Sequence, residues 1–340
     1  MAVISLSDLS HSGSESTSKP SISKKTASKK TFTCLLKDLY LAQARKITLR
    51  FSPMEIHHIP ALRNPIMVMA FSGWNDAGEA ATGAIEHLLS AWQNEPNDVV
   101  PELIADIESE EFYDFQVNRP HIYVDDSQIR NITWPTTEIF GVVLPDCDRD
   151  LVVVKGTEPS MRWKSFTREL LDLADDLEVS LIITLGSMLA DVPHSRPISV
   201  SGSSAHPDLA TRLGVEVSSY EGPTGILGII SDGCMRRGID AVSLWAAIPH
   251  YASNSPSPKA TLSLINSLED FLEISIPPAD LAEAADEWEK DVTEMAKEDN
   301  DVAEYVKALE DSKDAAELPD VSGDSIAKEF ERYLRRRTKD

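Results

Sequence analysis

A chain of 340 residues, 42% apolar and 26% charged, holds one large domain or two and enough apolar surface for a core, which excludes general disorder. Its longest apolar runs stop far short of the ~20 residues that span a bilayer. Three scattered cysteines, Cys34, Cys147 and Cys234, supply neither a disulfide framework nor a thiolate zinc site. The short apolar runs and scattered cysteines lead us to expect a cytoplasmic protein. A formal net charge of −24 repels phosphate backbones and anionic lipid, so neither nucleic acid nor membrane is expected as a partner.

The charge is unevenly spread. Residues 1–53 carry nine Lys/Arg and three Asp/Glu, while the remainder is strongly acidic. The stretch 1–33 is rich in Ser, Thr and Lys, repeats Ser-Lys-Lys at 23–25 and 28–30, and has no apolar periodicity. A disordered or appended N-terminal extension over 1–53 is expected. It lacks the continuous apolar segment of a secretory signal.

From 54 to 276 short apolar runs alternate with helical periodicity. Strands are expected at 65–71 (PIMVMAF), 103–107, 121–124, 139–144, 151–155 (LVVVK), 181–185 (LIITL), near 215–218 and at 241–247 (AVSLWAA). A hairpin-like stretch is expected around 198–200. Helices are expected at 77–92, 160–177, 206–213, 226–237 and 258–272. Such alternation predicts an α/β domain, its sheet largely parallel and flanked by helices. Residues 277–340 change character. Pro277-Pro278 interrupts the chain, then Leu281, Trp288, Val292 and Met295 recur at helical spacing among Glu, Asp and Lys. This predicts an acidic helical C-terminal region. Its last helix would start at Asp324 and end at Arg335-Arg336-Arg337.

Polar residues gather where strands end. The first long strand leads into Gly73-Trp74-Asn75-Asp76, and LVVVK into Gly156-Thr157-Glu158 with Arg162 beyond. LIITL leads into Asp191, His194 and Arg196. The strand near 217 leads into Tyr220-Glu221-Gly222-Pro223-Thr224-Gly225, and the last strand into His250-Tyr251. Ligands of α/β sheets bind beyond the carboxyl ends of strands. In that setting Asp76, Glu158, Asp191 and Glu221 are candidate acid/base carboxylates, and His194 and His250 candidate proton shuttles. Arg162 and Arg196 would grip a carboxylate or phosphate. Asn75, Gly222, Thr224, Gly225 and Tyr251 complete the candidate ligand-binding set, with Gly222, Gly225 and Gly228 able to frame an anion at a helix N-terminus. Each piece has a plainer explanation. Asp76 and Glu158 suit helix caps, Asp191, His194 and Arg196 a local loop network, the glycines a tight turn, and His250 a buried histidine. His57-His58 lies before the fold and is expected in solvent. Cys234 faces the core. The sequence contains no phosphate-binding G-x-x-x-x-G-K-[ST], no G-x-G-x-x-G in the first strand–helix turn, no G-x-S-x-G elbow and no H-E-x-x-H; no metal or cofactor is expected.

Six motifs in order, PIMVMAFSGWNDAGEAAT, EFYDFQVNRP, VVVKGTEPSMRW, LGSMLADVPHSRP, YEGPTGILGIISDGC and WAAIPHYASNSPSPKA, resemble the proteasome assembly chaperone 2 family, and more closely its bacterial, actinobacterial-type branch. The resemblance covers about 54–340. It implies a purine nucleoside phosphorylase-like α/β fold and homo-oligomers, trimers among them. Eukaryotic relatives hold α-type proteasome subunits during assembly; the resemblance supplies no catalytic residue. The chaperones dock through a C-terminal hydrophobic-Tyr-any motif. Here the last tyrosine, Tyr333, follows Arg332 and precedes a basic stretch, so that docking mode is not expected. Three functions are therefore set side by side: a protein-binding or assembly factor that meets its partner through 277–340, a hydrolase- or transferase-type enzyme or sensor with a polar pocket at the strand ends, and a homo-oligomeric scaffold.

Overall fold

The computed structural model describes residues 52–93, 99–145 and 147–317. The chain divides into two units between Phe51 and Ser52, and all described residues belong to the second. The expected N-terminal extension, except its last two positions, lies outside the described residues; so do the expected helix from Asp324 and Tyr333.

In chain order the elements are β1 (Met54–Ile56), β2 (Ile66–Ser72), a 3-10 turn (Ala77–Glu79), α1 (Ala80–Ser90), β3 (Glu102–Ile107), β4 (His121–Val124), β5 (Arg130–Thr133), β6 (Thr137–Val142), β7 (Leu151–Thr157), α2 (Trp163–Asp176), β8 (Leu181–Ala190), β9 (Val200–Ser204), α3 (Pro207–Leu213), β10 (Glu216–Val217), α4 (Ile226–Arg237), β11 (Ala241–Pro249), a second 3-10 turn (His250–Ala252), α5 (Pro258–Leu272), α6 (Leu281–Glu298) and α7 (Asn300–Glu317). Among the described residues, nine strands make one sheet in the order β1-β3-β6-β7-β2-β8-β11-β9-β10, and β4 with β5 make a separate two-stranded sheet. The centre, β7-β2-β8-β11, is parallel. Antiparallel pairs add β6, β3 and β1 on one side. On the other, β9 runs antiparallel to β11, with β10 parallel to β9. The stretch expected to be hairpin-like thus leads into one strand, β9, whose antiparallel partner β11 is distant in sequence.

The parallel centre follows from apolar runs that must be buried on both faces. Along β2, Ile66, Val68 and Ala70 point to one core while Met67, Met69 and Phe71 point to the other. The first core is closed by Ala80, Ala84, Ile85 and Leu88 of α1 and by Leu264, Ile265 and Leu268 of α5. The second is closed by Phe166, Leu170 and Leu171 of α2 and by Ile226, Leu227, Ile230 and Cys234 of α4. Cys234 is fully buried, and burial pushes its thiol up to about 12, so it packs as a small apolar side chain. Gly186 lies beneath the Trp245 ring, 2.7 Å from where a Cβ would sit; only glycine lets β8 and that indole share the space. His57 and His58 follow β1 and pair with Asp106 at 2.8 Å and Glu102 at 3.0 Å on β3, so they belong to the fold rather than preceding it.

Candidate functional site

Because β7, β2, β8 and β11 are parallel, the stretches after them share one sheet edge. Four of the five polar stretches expected there are there. The fifth is not: β10 runs opposite to β11, so its carboxyl end points to the other edge. The segment 218–225 then carries the chain back to the first edge, where α4 begins. LIITL is also longer than expected. β8 continues to Ala190, which leaves Gly186 inside the strand and Asp191 at its exit.

The first group of side chains sits between β2, β7 and α4. Buried Asn75 donates from Nδ2 to Glu158 Oε1 at 2.7 Å, and the same oxygen accepts the Ile226 backbone N–H at 2.8 Å. Gly225 leaves the room for this, since a Cβ there would lie 2.2 Å from Asn75 Oδ1. The N-terminus of α4 does hold an anion, but the anion is the chain's own Glu158. Asp76 is equally engaged. Its Oδ1 accepts the backbone N–H of Ala81 at 2.9 Å and of Thr82 at 3.1 Å, and its other oxygen accepts the Thr82 hydroxyl. Burial raises the Asp76 pKa above the ordinary carboxylate value, opposed by those three hydrogen bonds. Both carboxylates therefore act as helix caps. Gly222 and Thr224 lie on the exposed 218–224 segment, where the Tyr220 hydroxyl donates to Pro223 O at 2.7 Å. Glu221 is exposed there and takes no part in these bonds. Arg162 stands apart, ahead of α2, paired with Glu111 and 5.9 Å from the Phe112 ring centroid.

The second group lies beyond β8 and β11. His194 is 2% exposed. Its backbone N–H donates to the Tyr251 hydroxyl oxygen at 2.8 Å, and its Nδ1 lies 2.9 Å from the same oxygen. Thr293 Oγ1 gives its one hydrogen to Glu289 O, so it accepts from His194 Nε2, which leaves Nδ1 of the neutral ring to accept the Tyr251 proton. The His194 proton is then on Nε2, 2.9 Å from Thr293 Oγ1, whose hydroxyl donates to Glu289 O at 2.7 Å. Burial, then the Lys259 charge, lowers the His194 pKa; burial pushes Tyr251 up to about 12. Both rings are neutral links rather than free shuttles. Lys259 Nζ donates to His194 O and Glu289 Oε2, each at 2.5 Å.

The same loop is held by α7. Arg196 forks onto Asp314 with two bonds of 2.7 Å, Ser195 donates to Glu310, and the Tyr305 hydroxyl donates to Asp191 Oδ1 at 3.0 Å. His250 Nδ1 is 3.2 Å from Asp191 Oδ1, and its ring meets Tyr305 edge-on at 5.4 Å between centroids. Asp191, His194, Arg196, His250 and Tyr251 are thus brought together, and α6 and α7 dock on them. A cleft of about 1010 Å³ lies elsewhere on the molecule, between α1, the ends of β2 and β7, the β4–β5 hairpin and residues 279–284. It presents Glu86, His87, Arg119, His121, Trp134 and Lys155, and none of the expected site residues. Of its walls, Ser72 and Lys155-Gly156-Thr157 lay at strand ends visible in the sequence.

The family model of the PAC2 family matches residues 70–296. The chain belongs to the PAC2 family. The matched span runs from β2 into α6 and holds both groups of side chains, but it stops before α7 with Tyr305, Glu310 and Asp314. Among solved structures, a PAC2 family protein from Streptomyces avermitilis is 50% identical, with a TM-score of 0.65, covering 71% of this chain and 99% of that one. A Mycobacterium tuberculosis proteasome-assembly chaperone homologue is 45% identical at a TM-score of 0.63, with the same coverage. Both relatives are actinobacterial, the branch that the motifs indicated. An archaeal proteasome activator from Pyrococcus furiosus, 19% identical at a TM-score of 0.57 and covering 71% of this chain and 97% of that one, shares the fold. No curated protein matches. Among the described residues no helix is long and apolar enough to cross a membrane.

Proposed function

We propose that this PAC2 family chain is an assembly factor that binds other protein chains, with free proteasome-type α subunits as its partner class. One observation carries the reading: the candidate acid/base groups, the exposed Glu221 aside, are already bonded within the chain. Asp76 and Glu158 cap helices, and Asp191, His194 and Arg196 hold α6 and α7. The 45% identical relative described as a proteasome-assembly chaperone homologue supports the partner class. In this reading the protein works in the cytoplasm as a homo-oligomer, a trimer by family resemblance. The acidic region from 277 onward presents Glu283, Glu287, Asp291 and Glu294, all exposed on α6, to the partner. The test is co-elution of the full chain with purified free α subunits on gel filtration. A shared peak, lost when those four carboxylates become Lys, supports the reading; separate peaks at tens of micromolar overturn it.

The cleft of about 1010 Å³ beside the ends of β2 and β7 supports a second reading, a small-molecule site of sensor or hydrolase type. A thermal-shift screen of nucleosides, amino acids and small carboxylates tests it. Binding to the folded state raises stability by about 2.7 kcal/mol at one hundred times Kd. A flat screen counts against the second reading.

A further inference from the structure

The cleft between α1, the ends of β2 and β7 and the base of the β4–β5 hairpin carries charges of both signs on different walls. On its helix and sheet side stand Glu79, Glu86, Glu138 and Lys155; on its hairpin side stands Arg119. Glu138 lies directly opposite Lys155 in the β6–β7 register. That lysine is already engaged, its Nζ 2.8 Å from Glu86 Oε1 on α1. Glu138 is half-buried, and among the described residues no cation pairs with it. A carboxylate drawn out of water without a counter-charge is costly, and a bound cation relieves that cost. Arg119 is exposed and likewise unpaired among the described residues. An aromatic surface stands beside it. Trp134 lines the cleft at 46% exposure, and Phe115 meets its ring edge-on at 4.9 Å and holds it in place.

We infer that this cleft binds short peptides with free termini, the ammonium group at Glu138 and the carboxylate at Arg119. The inference rests on the small-molecule reading of the cleft and names its ligand class. Three observations select that class. The first is charge. Glu79, Glu86, Glu138 and Asp280 outnumber Arg119 and Lys155, so nucleotides and other phosphate-bearing ligands are repelled. A purely cationic ligand leaves Arg119 unanswered, whereas a zwitterion answers both walls, its carboxylate in a charge-assisted grip on the guanidinium. The second is size. The volume of about 1010 Å³ sits at the top of the range, about 300–1,000 Å³, that encloses a drug-sized ligand. A single amino acid leaves such a cleft mostly empty, and a peptide of about three residues has that size. The third is the Trp134 ring, which an apolar side chain of the peptide covers.

The test is calorimetric titration of the full chain with the tripeptide Ala-Leu-Ala, its N-acetyl form and its C-terminal amide. The free tripeptide should bind, and each blocked form should bind about tenfold more weakly or worse, as expected when a charged hydrogen-bond partner is lost. Glu138→Gln should erase the preference for a free amine and keep that for a free carboxylate; Arg119→Gln should do the reverse. Equal affinity for free and blocked peptides overturns the inference, and that comparison uses the wild type alone, so it holds whether or not a variant folds. If no tripeptide binds while adenosine or a small carboxylate raises the melting temperature, the peptide class is overturned and the small-molecule reading stands. Silence from every compound overturns both.

Discussion

Tyr251 binds His194 twice, accepting its backbone N–H at 2.8 Å and lying 2.9 Å from its Nδ1 through the same oxygen. The pair turns two residues of a supposed acid/base site into the floor on which α6 sits, because the far nitrogen of His194 reaches Thr293.

Acid should therefore loosen the fold. Burial and Lys259 lower the His194 pKa in the folded chain, and burial lowers that of His87, whose Nε2 is 2.8 Å from Pro277 O. Unfolded, both titrate near 6.5. Below that value and above the folded one, the unfolded chain holds the extra protons. The contribution is full above about pH 6.5 and is lost as pH falls through the lowered folded values. Urea midpoints should drop between pH 7.5 and 5.5, and His194→Gln should flatten that slope. An unchanged slope removes His194 from the account.

Asp76→Ala should cost about 1–2 kcal/mol in urea denaturation, since it frees the N–H groups of Ala81 and Thr82 at the start of α1. Asp76→Asn, which keeps an acceptor, should cost less. Equal losses for the two variants would contradict the cap.

Gly225→Ala should destabilise by about 1–3 kcal/mol, because the new methyl meets the Asn75 amide and forces it off Glu158. Thermal denaturation measures this. A neutral effect would show that the Asn75–Glu158–Ile226 arrangement is loose.

Arg196→Ala should change global stability by less than about 1 kcal/mol, as expected of a partly exposed ion pair. Its effect should be local. Amide exchange in α7 should rise while exchange in α6, held by Thr293 and buried Val292 and Ala296, should not. Equal acceleration of both helices would mean that α6 and α7 dock as a single unit.

The long elements were legible because packing dictates their pattern. The runs at 65–71 and 151–155 are apolar on both faces, as central parallel strands must be, and the periodicity over 226–237 and 258–272 matches α4 and α5 to the residue. β1 and β5 were missed because MEI and RNIT are short and mostly exposed; their pairing comes from distant partners, which periodicity does not reveal. The strand-end residues were placed correctly in four cases of five. What they do was not legible. Asp191, Ser195 and Arg196 meet Tyr305, Glu310 and Asp314, more than one hundred residues further along, and nothing local announces that return. The cap explanation fits Asp76, which meets N–H groups of the helix that follows it; Glu158, expected to cap the helix at 160–177, instead meets the Ile226 N–H at the start of α4, where an unpaired helix N–H favours a carboxylate.

The account turns on binding to unassembled protein subunits. The most direct measurement is calorimetric titration of the full chain with purified proteasome-type α subunits, free and in assembled rings. The account predicts micromolar or tighter binding to free subunits and none to closed rings. No binding to free subunits, together with a small molecule that binds in the Lys155 and His87 cleft, would contradict it.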